Sequence, residues 1–260
     1  MKKLNLSVTN CFLIKADDHY VLIDTGYEDD WALFRRRLNQ NHVELSDLSH
    51  IILTHHHNDH SGLLHNILRE NNSIEVVTSC LGKGLLLKGK NDHAYGEGFL
   101  SGRIALLTMV GIGALTSLRL KKAISPAKIM TRFPPYRLCN RDTLIAGDTG
   151  LRDIGIPLDG EIIATPGHTA DSISILFDDG DCLIGDAAEN VFALQLLGAK
   201  YCTHLITDMD SFYTSWEKLI AAGARRIYPA HGCPFAVDKL KANLWEQRAE
   251  NLVSFPYGTD

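Results

Sequence analysis

Thr54-His55-His56-His57-Asn58-Asp59-His60-Ser61-Gly62 decides how the rest of the chain is read. It follows a short apolar run, His50-Ile51-Ile52-Leu53, that reads as a buried strand. It precedes Leu63-Leu64-His65-Asn66-Ile67-Leu68-Arg69, which reads as a helix. Within it His55, His57, Asp59 and His60 form the pattern H-x-H-x-D-H. Neutral imidazoles and a carboxylate are ligands for borderline and hard divalent metals, and four of them in six residues cannot all reach one ion comfortably. Two neighbouring ions can share them. His55 and His57, on alternate residues of a turning segment, grip one while Asp59 and His60 reach the other. The bland alternative is a histidine-rich surface turn.

Working outward, strands alternate with helices in the first third. Residues 4–14 and 20–24 read as an antiparallel pair joined by Lys15-Ala16-Asp17-Asp18-His19. Trp31-Ala32-Leu33-Phe34-Arg35-Arg36-Arg37-Leu38 has helical apolar spacing, with Asp29 or Asp30 near its start. A strand at 74–79 completes a β-loop-α-β unit around the histidine motif. Residues 80–135 break this rhythm with an apolar run at 104–118, flanked by Arg103, Arg119, Lys121 and Lys122. Its fifteen residues fall short of the roughly 20 that span a bilayer. It reads as a buried helix, packed on the sandwich or at a contact with a second copy of the chain, with a bending cap over the site (Gly111-Ile112-Gly113) or a segment that touches lipid as the competing uses.

From residue 143 short strands return at 144–145, 161–164, 172–177 and 182–184, with Asp178-Asp179-Gly180-Asp181 as a turn. A helix at about 210–222, a strand at 226–228 and a helix at about 236–252 close the chain. With no repeat and no low-complexity linker, residues 1–260 read as a single domain. Three further candidate ligands each follow a predicted strand: His168 in Thr165-Pro166-Gly167-His168-Thr169, Asp186 in Gly185-Asp186, and His231 in Pro229-Ala230-His231-Gly232. Ligands on loops at one rim of a sheet converge there without being close in sequence. The full set is five His and two Asp, enough for two ions and a water between them.

Composition narrows the partners. A hydrophobic fraction of 45% with 22% charged residues suits a soluble globular protein, and a net charge of −5 argues against a nucleic-acid footprint. Six scattered cysteines (Cys11, Cys80, Cys139, Cys182, Cys202, Cys233) without a C-x-x-C pair point to reduced thiols. Lys2-Lys3 is followed by an alternating strand pattern instead of a secretory apolar region, so the expectation is a cytoplasmic protein without stable membrane insertion.

In this order along the chain, Asp24-Thr25-Gly26, the H-x-H-x-D-H motif, Thr165-Pro166-Gly167-His168-Thr169, Gly185-Asp186 and Pro229-Ala230-His231-Gly232 resemble the metallo-β-lactamase fold superfamily. That resemblance implies an α/β (α+β) architecture, a four-layer αββα sandwich with the metals at one edge, here carrying a helical insertion at about 80–135. Carried over by position, His55, His57 and His168 would hold one metal; Asp59, His60 and His231 the second; Asp186 would bridge them. Two zinc ions are the expectation, with Mn or Fe as alternatives because no Cys ligand biases the choice. A water shared by two dications loses its proton near neutral pH and attacks an electron-poor carbonyl or phosphorus, with Asp59 placed to orient it and shuttle its proton. The expected reaction is hydrolysis of a lactone, ester or thioester of a small molecule, one with an apolar tail if the 104–118 run caps the site.

The alternatives turn on specific residues. Asp24-Thr25-Gly26 and Asp148-Thr149-Gly150 superficially resemble the paired D-T-G of aspartic proteases, but that dyad leaves the histidines unexplained. Asp24 reads instead as a strand end packed beneath the metals. A di-iron flavin-linked relative would carry a carboxylate at His57; a phosphodiesterase or a mono-iron sulfur dioxygenase uses the same fold. Where related lactonases place a Tyr three residues after the bridging Asp, this chain has Glu189. His56 and His65 read as structural or exposed, and Cys233 as an inert buried thiol.

Overall fold

The computed structural model describes residues 1–91, 98–99, 101–106, 132–244 and 252–254. The first sheet runs β1 (Lys2–Asn5), β2 (Asn10–Ala16), β3 (His19–Ile23), β4 (Leu48–Ile52), β5 (Glu75–Ser79) and β7 (Thr143–Ile145), in that order. β1 to β3 are antiparallel neighbours; β3, β4, β5 and β7 are parallel. The second sheet runs β14 (Phe235–Ala236), β13 (Arg226–Pro229), β11 (Asp181–Gly185), β10 (Ile173–Phe177), β9 (Gly160–Ala164) and β8 (Thr149–Gly150). A small third sheet joins β12 (Leu205–Ile206), β6 (Gly98–Phe99) and β15 (Val253–Ser254).

The strand sequences are apolar on both faces, and the two-residue period sorts them into separate layers. Phe12, Ile14, Val21, Ile23, Ile52 and Val77 of the first sheet meet Ile162, Ile173, Ile175 and Leu183 of the second in the central core. The intervening residues Leu13, Leu22, Ile51 and Val76 point the other way. There they pack on Phe34 and Leu38 of α1 (Trp31–Gln40) and on Leu64 and Ile67 of α3 (Leu64–Glu70), which follows the one-turn α2 (Asn58–Ser61). On the far side Ile163, Leu176, Cys182 and Ile184 pack against three helices. These contribute Leu194 of α6 (Phe192–Leu196), Phe212, Tyr213, Trp216 and Leu219 of α7 (Met209–Ala221), and Leu240 of α8 (Asp238–Asn243). The result is the αββα sandwich expected from the motifs. Each Val, Leu or Ile buried this way contributes about 1.5–3 kcal/mol, so a charge at Ile52 or Ile175 would part the two sheets. Asp208 starts α7 by accepting the N–H groups of Asp210 (3.0 Å) and Ser211 (3.2 Å).

Two boundaries differ from expectation. The stretch 4–14 is two strands, because Leu6 N–H bonds back to Thr9 C=O (3.0 Å) and reverses the chain between β1 and β2. The final helix appears as the short α8, with residues 245–251 outside the described set. Of the proposed insertion, the described residues hold α4 (Lys83–Lys88), β6 and α5 (Gly102–Leu106). Residues 107–131 lie outside the described set, and with them most of the 104–118 run and its reading as a cap. Among the described residues no helix is long and apolar enough to cross a membrane.

Candidate metal centre

Strand polarity brings the motifs to one rim. β3 and β4 are parallel and end at Asp24 and Thr54-His55; β11 and β13 are parallel and end at Asp186 and His231. β9, antiparallel to β10 as β11 is, points the same way and leads to His168. The rims of the two sheets are tied by backbone hydrogen bonds from Ile173 N–H to Thr54 C=O (2.8 Å) and from Asn10 N–H to Ala230 C=O (2.7 Å). Gly185, with φ +56°, turns the β11 end so closely against Thr54 that a Cβ there would lie 2.8 Å from the Thr54 side chain.

All seven candidates converge. Three overlapping groups, His55/His57/His168, His55/His60/Asp186 and Asp59/His60/His231, each have ligand atoms within 4.8 Å of one another. Asp186 faces both ways: Oδ1 lies 3.4 Å from His60 Nε2 and 3.3 Å from His231 Nε2, and Oδ2 lies 3.5 Å from His168 Nε2. Asp59 Oδ2 lies 3.2 Å from His231 Nε2 and 3.7 Å from His60 Nε2. Donors each about 2.0–2.1 Å from a tetrahedral ion sit about 3.3 Å apart, so these separations match edges of a coordination shell. Four of the six buried side-chain polar atoms without a hydrogen-bond partner among the described residues belong to this cluster: Nε2 of His55, His57 and His60, and Oδ1 of Asp186. Buried orphans of this kind cost about 1–3 kcal/mol each unless something satisfies them. The donor set fits divalent metal.

The imidazoles are aimed by partners on their other nitrogen, the arrangement that fixes a ligand's tautomer. His60 Nδ1 contacts Asp24 Oδ2 (2.8 Å), His168 Nδ1 the Leu205 carbonyl (2.8 Å), and His231 Nδ1 the Val8 carbonyl (3.0 Å). Burial, reinforced by the neighbouring imidazoles, holds His55 and His57 well below the usual histidine range, so both keep a lone pair to donate. Burial also pulls down on His60 and His231, but Asp186, with Asp24 and Asp59 at His60 and Asp59 at His231, outweighs it and raises both. At Asp186 burial pushes up, and the His231 and His60 imidazoles overcome it, keeping the carboxylate ionised. Beside them burial, then the Asp59 and Asp186 charges, push the Tyr27 hydroxyl up, leaving it a neutral donor.

Residues outside the candidate ligand set fall into place. His56 is buried, with its N–H (3.0 Å) and Nδ1 (2.9 Å) both on the Asp171 carboxylate; His65 is exposed. The motifs do not single out Asp171, although it lies three residues after His168 on the same loop. Asp148 is exposed and takes Lys218 Nζ (2.6 Å), whereas Asp24 is buried against Thr54 and His60. Cys233 is exposed, not buried: the chain leaves the rim at Gly232 and carries it to the surface. None of the six cysteines is paired.

Known proteins agree with this picture. Residues 4–79 match the model of the metallo-beta-lactamase superfamily. The chain is 22% identical over 256 residues to the beta-lactamase-like protein 2 homolog of Drosophila melanogaster, covering 97% of this chain and 69% of that protein. It is 25% identical over 263 residues to the probable metallo-hydrolase YflN of Bacillus subtilis (strain 168), covering 94% and 88%. Among solved structures, a metallo-beta-lactamase family protein from Thermus thermophilus superposes with a TM-score of 0.59 at 20% identity, covering 93% of this chain and 78% of that one. In its fold and its ordered motifs the chain is similar to proteins of the metallo-β-lactamase superfamily, whose model its residues 4–79 match.

Proposed function

We propose that this chain is a dinuclear metal-dependent hydrolase acting on an ester-type bond (lactone, ester or thioester) of a small molecule. The observation that carries it is the split of Asp186, with one oxygen toward His60 and His231 and the other toward His168. In this reading His55, His57 and His168 hold one divalent ion, Asp59, His60 and His231 the other, and Asp186 both. Zinc suits five imidazoles and two carboxylates, with Mn and Fe as the alternatives. Ions held there supply Lewis-acid polarisation of a substrate oxygen and a hydroxide nucleophile near neutral pH.

The chain's own residues do the rest. Asp59 turns Oδ2 to His231, leaving Oδ1 to orient the attacking oxygen and accept its proton. Tyr27 offers a neutral O–H to a substrate oxygen. A net charge of −5 supports a small-molecule substrate over a nucleic acid. Elemental analysis of the purified protein should approach two ions per chain, and a panel of lactones, esters, thioesters and phosphodiesters should show turnover of the acyl compounds. Turnover of phosphodiesters alone would overturn the substrate class. A single ion, insensitive to Asp186→Ala, would overturn the dinuclear reading and favour a mono-iron oxygenase.

A further inference from the structure

Beyond the seven donors a second polar pair lies at the same rim. Glu189, on the loop after Asp186, is 1% exposed, an unusual place for a carboxylate without compensation. It receives a short hydrogen bond from Thr203 Oγ1, a long one from His204 N–H (3.4 Å), and His204 Nδ1 at 2.9 Å. The loop is held on two sides: Asn190 N–H bonds to His231 C=O (3.0 Å), and Glu189 N–H bonds to Tyr201 C=O (2.9 Å). His204 directly precedes Leu205, whose carbonyl holds His168 Nδ1. Its side chain keeps 23% of its surface exposed, and its Nε2 has no partner among the described residues. A buried carboxylate thus grips one ring nitrogen of a partly exposed imidazole on the segment whose next residue holds His168.

The geometry points to His204 as the proton donor to the leaving group, with Glu189 as its positioning residue. Resting on the hydrolytic reading above, the step balances as follows. Hydroxide oxygen bonds to the acyl carbon, and the bond from that carbon to the leaving oxygen or sulfur breaks. The leaving atom keeps the electron pair and takes the proton from His204 Nε2. The attacking oxygen's remaining proton passes through Asp59 to solvent, so the products are a carboxylate and an alcohol or thiol, and the imidazole is reprotonated by solvent. Electrostatics support the assignment. Burial disfavours the imidazolium, but the charge and hydrogen bond of Glu189 outweigh it and raise His204, with His231 opposing and Asp186 assisting. At Glu189 burial pushes up, and His204 overcomes it, so each partner favours the charged form of the other.

The test varies the leaving group. An alkyl ester, whose alkoxide needs a proton, and a nitrophenyl ester of the same acid, whose phenoxide does not, are compared in the parent, His204→Gln and Glu189→Gln, each with its metal content measured. His204→Gln should lower kcat for the alkyl ester by about 10²-fold or more, and leave the nitrophenyl ester within a few-fold. Glu189→Gln should shift the alkaline limb of the alkyl-ester profile to lower pH, and ¹⁵N NMR of the histidines should show His204 protonated at pH 7 in the parent. Equal losses on both esters, or a raised KM alone, would overturn the proposal in favour of a structural or anchoring role. A neutral His204 at pH 7 would overturn it independently of turnover. Failure to hydrolyse either ester would instead mark the hydrolytic reading as the error and take the inference down with it.

Discussion

Asp24 Oδ2 lies 2.8 Å from His60 Nδ1, while Oδ1 of the same carboxylate takes the backbone N–H of Thr54 at 2.8 Å. One buried side chain therefore orients the His60 imidazole and fixes the first residue of the histidine motif. Asp24 does this from φ +57°, a left-handed conformation that Asp tolerates better than most residues. Thr54 Oγ1 adds a bond to Oδ2 at 2.8 Å, so the carboxylate is held from two sides.

Asp24→Asn should keep the fold but weaken metal at the His60 site. Its amide cannot accept from Thr54 and His60 at once, and loss of such a partner costs 10- to 100-fold in affinity. Stepwise removal by a chelator should release one ion early while the His55/His57/His168 site holds. Simultaneous release of both ions would show that Asp24 does not act through His60.

Removing Asp186 should act on both ions, because its two oxygens face different histidines. Asp186→Ala is expected to lower occupancy of each site in elemental analysis, and Asp186→Asn less so. A variant that loses one ion while the other stays at parental affinity contradicts the shared-ligand assignment.

Asp59→Asn keeps the shape of the side chain and removes its ability to take a proton. At saturating metal, kcat should fall by about 10²–10⁴-fold with KM nearly unchanged. A loss confined to KM would place Asp59 in substrate binding.

How legible was this in the sequence? The layers were, because Val21-Leu22-Ile23 and Ile175-Leu176 alternate between two cores and carry apolar residues on both faces. The convergence of the candidate ligands was, because His55, His168, Asp186 and His231 each follow a strand end beside Gly, Pro or Thr. The turn at Leu6–Thr9 was not, since Ser7-Val8-Thr9 lacks Gly or Pro and continues the strand alternation. β8, β12 and β14 are two residues long, too short to show any period. The Asp171 and Glu189 carboxylates are made functional only by residues 115 and 15 positions away, His56 and His204. No local pattern encodes such pairings.

Asp171→Ala should test the scaffold beneath the motif. It strands the His56 N–H and ring nitrogen in a site where both partners are almost fully buried. The loss should be about 1–3 kcal/mol of stability, seen as a lower denaturant midpoint, with metal stoichiometry retained. Parental stability would mean that the motif is held by its metals alone.

The Glu189–His204 pair gives a pH signature in metal-free protein. His204 is raised above its ordinary 6.5, so its contribution is fully present below that value and is lost as pH rises through the folded value. Glu189 is lowered below its ordinary 4.5, so its contribution is present above that value and is lost as pH falls through the folded value. Both contributions are complete only between 4.5 and 6.5. A double-mutant cycle of Glu189→Gln and His204→Gln, followed by urea unfolding across that range and beyond, isolates the pairwise coupling from other titrating groups. The coupling should be largest inside the window and decline on both sides. A coupling that grows above pH 7 would mean that the pair is held by a neutral imidazole, with His204 donating Nδ1–H to Glu189 and no proton to spare on Nε2.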